Sequence, residues 1–144
     1  MTQLEEVNVL LVDDEVDFAG TLTKRMNKRE LKTSSVNSGE DALEFLRQHP
    51  ADVVILDVKM PGIGGIQTLK EIKKQHPLIE VIMLTGHANI EVAIQGMEIG
   101  AFDYLMKPMA IDDLVYKIQD AYKKKSIQEK NKRTSSEFFR PKSD

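Results

Sequence analysis

Short apolar runs alternate with longer stretches in which apolar residues recur every three or four positions, and the alternation repeats five times along the chain. An unbroken short run reads as a strand covered on both faces, and a period near 3.6 reads as a helix. Strands are expected at 7–12, 31–36, 53–56, 81–84 and 102–106. The second, Leu31-Lys32-Thr33-Ser34-Ser35-Val36, is polar and suits a sheet edge. Between the strands, Phe18, Leu22 and Met26 stand four apart, and Ala42, Leu43, Phe45 and Leu46 follow the polar start Ser38-Gly39-Glu40-Asp41. Ile66, Leu69 and Ile72 form a third stripe, which His76-Pro77 ends. Ile90, Ala93, Ile94 and Met97 form a fourth, with Asn89 as its N-cap and Gly100 as its C-cap. A fifth helix carries Ile111, Leu114, Val115, Ile118 and Tyr122. Five strand–helix units predict an α/β domain built on a parallel sheet.

Apolar periodicity fades after Tyr122, so one domain is expected over 1–122, followed over 123–144 by a basic helical extension and a flexible tail or linker stub. The chain has 144 residues, 41% of them hydrophobic, enough for one core. The run KKKSIQEKNKR holds six basic residues against one acidic, and reads either as a solvated helical extension or as a linker toward an output domain. Phe138 and Phe139 fall outside the core pattern and are candidates for docking on a partner or a second copy. The formal net charge of -3 supplies no global field to hold the domain on nucleic acid or an anionic membrane. With no cysteine, disulfides, thiolate metal sites and thiol nucleophiles are excluded. The N-terminus lacks a basic flank and apolar core, and no run approaches the ~20 apolar residues that span a bilayer, so a cytoplasmic location is expected.

In an open parallel sheet, ligands bind beyond the carboxyl ends of the strands where the strand order reverses. Strand one ends in Asp13-Asp14-Glu15, strand three in Asp57, strand four in Thr85-Gly86 and strand five in Lys107-Pro108. With a strand order of 2-1-3-4-5 these ends converge on one crevice. Three carboxylates from Asp13, Asp14 and Asp57 repel one another unless a cation is present. A magnesium ion would suit them, with Asp14 and Asp57 as direct ligands, Asp13 through water and Lys59 through its backbone carbonyl. Asp57 is placed as a carboxylate nucleophile, Lys107 as a fixed positive charge and Thr85 as a hydroxyl donor, the parts that phosphoryl transfer requires. Each has a plainer use: helix capping for Asp13-Asp14, turn formation for Asp57 and Thr85, and a surface position for Lys107.

The sequence DD after strand one, D followed by VKMPG after strand three, TG after strand four and YLMKP at strand five resembles the receiver domain of two-component response regulators over residues 7–122. The stretch GHANIEVAIQGMEIGAFDYLMKP is most similar to receivers joined to AAA+ activators of the nitrogen-regulatory (NtrC) type. The resemblance implies a flavodoxin-like (βα)5 fold, phosphorylation of Asp57 by a sensor histidine kinase, a phosphotransfer protein or a small phosphodonor, and a cis bond between Lys107 and Pro108. It further implies that Thr85 moves toward the phosphoryl group while Tyr104 turns inward. The face of the fourth helix, fifth strand and fifth helix then changes its affinity for a partner or a second copy.

Lys59 and His87 occupy positions that vary among receivers, at the mouth of the site, and are expected to tune phosphate lifetime. The other histidines, His49 and His76, each precede a proline, and no histidine pair has ligand spacing. Three rivals are weaker. A haloacid dehalogenase-type phosphatase wants an acid where Lys59 stands. A flavodoxin would place its flavin phosphate against Asp13-Asp14, and Pro61-Gly62-Ile63-Gly64-Gly65 lacks the Gly-Lys-Ser/Thr of a nucleotide loop and reads as a flexible turn. A receiver-like module that binds without accepting phosphate leaves the five site residues without a use.

Overall fold

The computed structural model describes residues 6–60 and 64–138, apart from the side chains of His87 and of 133–138. Five strands, β1 (Val7–Val12), β2 (Leu31–Val36), β3 (Val53–Asp57), β4 (Glu80–Thr85) and β5 (Asp103–Met106), alternate with five helices, α1 (Val16–Lys28), α2 (Gly39–Gln48), α3 (Gly64–Gln75), α4 (Ile90–Ile99) and α5 (Ile111–Phe138). The sheet runs in the order β2-β1-β3-β4-β5 and every pairing is parallel, the flavodoxin-like arrangement. Strands three and four extend beyond their apolar runs, because the pattern is blind to the polar ends Asp57, Glu80 and Thr85, all of which are buried.

Alternation along each strand divides the core between two layers. Val9 and Leu11 face α1 and α5, where Leu22, Met26, Leu114 and Ile118 meet them. Leu10 and Val12 face the other way, toward a layer that includes Leu46, Leu69, Ile72 and Ala93 from α2, α3 and α4. The polar β2 sits at one edge, as its composition dictates. Ser38 caps α2 by accepting from the Asp41 N–H at 3.0 Å, and Gly100 ends α4 with φ at +126°, a conformation that disfavours a side chain. Asn89 stands at the N-cap of α4 but its side chain makes no capping bond there; a 3-10 turn over His87–Asn89 leads into the helix instead.

Helix α5 continues past Tyr122 without a break and reaches Phe138, so the basic run is its prolongation. The first turn of that prolongation is tied to the floor of the sheet. Lys125 Nζ lies 3.0 Å from Asp52 Oδ1, and Lys124 Nζ lies 3.2 Å from Oε2 of the buried Glu80. Asp52 also accepts from the backbone N–H of Asn8 at 2.8 Å. These lysines are therefore counter-charges for carboxylates at the strand starts rather than a purely solvated face. The side chain of Phe138, and Phe139 with the rest of the tail, lie outside the described residues. Because the Lys125 and Asp52 side chains are only 11% and 16% exposed, Lys125→Ala is expected to destabilise the protein by about 1–2 kcal/mol and to speed amide exchange over 126–132. Urea unfolding and hydrogen exchange check this, and an unchanged midpoint would mean that water replaces the pair without loss.

Candidate functional site

The carboxyl ends of β1, β3, β4 and β5 bring Asp13, Asp14, Asp57, Thr85 and Lys107 to one end of the sheet. Asp13 is fully buried, and its backbone is fixed by two bonds: its N–H donates to Val36 O at 3.1 Å, and the Asn37 side-chain amide donates to its carbonyl at 3.0 Å. Its carboxylate accepts from the Glu15 N–H at 2.9 Å and from Lys107 Nζ at 3.1 Å. Capping of α1 is thus not the role of Asp13-Asp14, since Glu15 holds the N-cap position. Asp57, 6% exposed at the end of β3, accepts from the Lys59 N–H at 3.1 Å and has its other oxygen 3.7 Å from Lys107 Nζ.

Lys107 follows β5, where its N–H donates to Thr85 O at 2.8 Å, and the Lys107–Pro108 bond is cis. Burial works against its charge, but the hydrogen bond to Asp13 and the proximity of Asp57 outweigh it and raise its pKa above the ordinary lysine value. Thr85 is buried and its hydroxyl donates to Gly86 O at 3.1 Å. Tyr104 on β5 pairs in register with Met83 and packs, partly buried, against the α2–α4 layer. The Lys59 side chain is exposed at the rim. His87 lies two residues beyond Thr85, and its side chain is outside the described residues.

One carboxylate oxygen from each of Asp13, Asp14 and Asp57 lies within 4.8 Å of the others. They border an open cleft of about 690 Å³ lined by Asp14, Glu15, Asp57, Lys59 and Met60. The donor set is all oxygen and the cleft leaves room for water, which fits a hard divalent cation such as magnesium.

Pattern reasoning missed three contributors. Glu15 reaches Lys107 Nζ at 3.2 Å, and the Phe18 ring, expected only as core, lies 4.4 Å below the same ammonium. Gly65 is no part of a flexible turn: it is buried in the first turn of α3, and a Cβ there would lie 2.7 Å from Val58 Cα. It lets α3 press against the backbone that follows Asp57. The pair Gly64-Gly65 was the only available signal, whereas Glu15 and Phe18 carry none. Pro61, Gly62 and Ile63 lie outside the described residues.

Residues 9–119 match the family model described as response regulator receiver domain. The chain is 35% identical over 117 residues to the transcriptional regulatory protein ZraR of Escherichia coli (strain K12), covering 81% of this chain and 26% of that protein. It is 36% identical over 105 residues to the DNA-binding transcriptional regulator NtrC of Klebsiella pneumoniae, covering 73% and 22%. The chain therefore spans about a quarter of the length of these curated relatives. Among solved structures, the receiver domain of NtrX from Brucella abortus aligns with a TM-score of 0.76 at 33% identity, over 80% of this chain and 98% of that one. A response regulator receiver domain protein from Clostridium thermocellum aligns with a TM-score of 0.81 at 35% identity, over 85% and 98%.

Burial raises the Asp57 carboxyl to about 6 in the metal-free protein; the Lys59 N–H and the Lys107 charge pull against that rise and the Asp13 charge adds to it. An acid with a higher pKa folded than unfolded favours folding while protonated. Its charge becomes a liability as pH climbs from the unfolded value, about 4, through the folded one. Asp57→Asn removes that liability. In the presence of a chelator, its stability advantage over wild type is expected to grow by about 1–2 kcal/mol between about pH 4 and pH 7.5. Unfolding at the two pH values tests this, and a constant advantage would show that folding does not raise the Asp57 pKa.

Proposed function

The chain belongs to the response regulator receiver domain family, and we propose that it accepts a phosphoryl group on Asp57 from a sensor histidine kinase, a phosphotransfer protein or a small phosphodonor. The observation that carries this is the Asp57 carboxylate, held at the floor of an open cleft with an ammonium 3.7 Å away. The backbone N–H of Lys59 fixes one carboxylate oxygen by its 3.1 Å bond, and the other attacks phosphorus as the bond to the donor breaks. Lys107 neutralises charge on the incoming group, and the Thr85 hydroxyl turns from Gly86 to donate to it. Asp14, Asp57 and the Lys59 carbonyl would hold magnesium directly, and Asp13 through water. A bound magnesium would supply positive charge that offsets the charge of these carboxylates and of the incoming phosphoryl group.

The signal leaves as Thr85 shifts and Tyr104 follows it inward, altering the α4-β5-α5 face. That face exposes Ile94 and Met97 on α4 and Tyr116 on α5, a surface suited to a partner or a second copy. The prolonged α5 would lead into an output domain of the kind the relatives' greater length implies. Among the described residues no helix is long and apolar enough to cross a membrane. A haloacid dehalogenase-type phosphatase is disfavoured by the lysine at position 59, and a binding-only module by the buried charge at Asp57.

Incubation with acetyl phosphate and magnesium is expected to add about 80 Da, one phosphoryl group, to wild type and nothing to Asp57→Asn or to a chelated sample. No gain with that donor or with a cognate kinase would leave the binding-only module. Lys59 is exposed at the rim and His87 lies two residues beyond Thr85 in the chain, positions suited to tuning the approach of water to a phosphoaspartate. Lys59→Ala and His87→Ala are therefore each expected to change the dephosphorylation rate by severalfold, and unchanged decay of the mass adduct in both would remove them from that role.

A further inference from the structure

The residue at the N-cap of a helix ordinarily turns a short polar side chain back onto the first free N–H groups. Glu15 holds that position on α1 with an extended backbone, yet its side chain makes no capping bond. Instead its Oε1 stops 3.2 Å from Lys107 Nζ. A lysine has three N–H donors. One is directed to Asp13 Oδ2 at 3.1 Å and one to Glu15, while Asp57 remains at 3.7 Å, outside hydrogen-bonding distance. Phe18 supports the ammonium from the same helix. Three groups on or just before α1 therefore draw Lys107 toward one wall of the cleft, away from the carboxylate that would carry the phosphoryl group.

We propose that Glu15 is a positioning residue that restrains Lys107 in the unphosphorylated domain and competes with the arriving phosphoryl group for its ammonium. This rests on Asp57 being the acceptor. The restraint differs in kind from that of Asp13. Asp13 is wholly buried and its carboxylate is already engaged by the Glu15 N–H, so its hold on Lys107 is part of the frame. The Glu15 side chain is 65% exposed, so its pairing is weak, screened by salt and readily exchanged. Such a contact sets the readiness of Lys107 without blocking its movement.

Glu15 also lines the cleft, so its charge assists cation binding, and the two effects must be separated. Glu15→Gln removes charge and pairing together; Glu15→Asp keeps the charge but falls short of Lys107 by one methylene. Beryllofluoride, which binds an aspartate as a phosphoryl mimic, is titrated at saturating magnesium, and magnesium affinity is measured alone by titration calorimetry. Both variants are expected to bind beryllofluoride about 2–5-fold more tightly than wild type, with the gain shrinking as salt is raised, while only Glu15→Gln loses magnesium affinity. Failure of either variant to gain beryllofluoride affinity overturns the proposal. If wild type binds no beryllofluoride and gains no phosphoryl mass from donor or kinase, Asp57 is not an acceptor and the underlying function falls with it.

Discussion

The ammonium of Lys107 lies between Asp13 and Asp57, two carboxylates that the sheet buries at adjacent strand ends. Two such charges removed from water without a counter-ion would protonate or drive the strands apart. One lysine offsets both, but incompletely, since burial still lifts the Asp57 carboxyl to about 6. The residual imbalance is one that a hard divalent cation would offset. The surrounding backbone is fixed as well: Asp13, Val58 and Lys107 each donate a main-chain bond to a residue of the neighbouring strand.

The opposite end of the sheet meets the same electrostatic problem with a different outcome. Asp52 and Glu80 stand at the starts of β3 and β4, and Lys125 and Lys124 reach down from α5 to neutralise them. The Glu80 carboxylate is 1% exposed, and its second oxygen has no hydrogen-bond partner among the described residues, although Lys73 Nζ stands 3.9 Å away. Among the described residues, the cleft that opens there sets Asp52 against Lys125 and Lys132 and is not acidic. The Lys124 and Lys125 pairs tie the first turn of α5 beyond Tyr122 to the strand starts, whereas at the other end the Glu15–Lys107 pair is exposed and screened by solvent.

The fold was largely legible because strand burial imposes short apolar runs and helix burial imposes a 3.6-residue period, and both kinds of segment occur five times. Asp13, Asp57, Thr85 and Lys107 were legible for a topological reason: parallel strands in this order deliver all their carboxyl ends to one place. What escaped depends on side-chain reach rather than on position. Glu15 reads as one more acid at a helix start, and only the position of its carboxylate reveals a partner 92 residues away. Phe18 has helical spacing and is half core, half platform for a cation. The run after Tyr122 has no apolar period because charge pairing to the strand starts, not apolar burial, holds its first turn in place.

The elements around Asp57 are not held equally. α5 buries Ile111, Leu114, Ile118 and Ala121 against the sheet, is joined to β5 by Lys117 and Asp103 at 2.6 Å, and is tied to the strand starts farther along. α4 buries only Ala93 and Gly96, with Ile94 and Met97 facing outward. Gly96 lies so close to the Met83 side chain that a Cβ there has no room, so α4 approaches β4 closely at that point, with Ala93 and the partly buried Val92 and Ile99 packing beside it. α4 also follows Thr85 by a single short turn, whereas α5 is anchored along its length by buried side chains and ion pairs. The exposed apolar residues of α4 therefore sit on the helix that combines the shortest connection to the cleft with the fewest buried anchors.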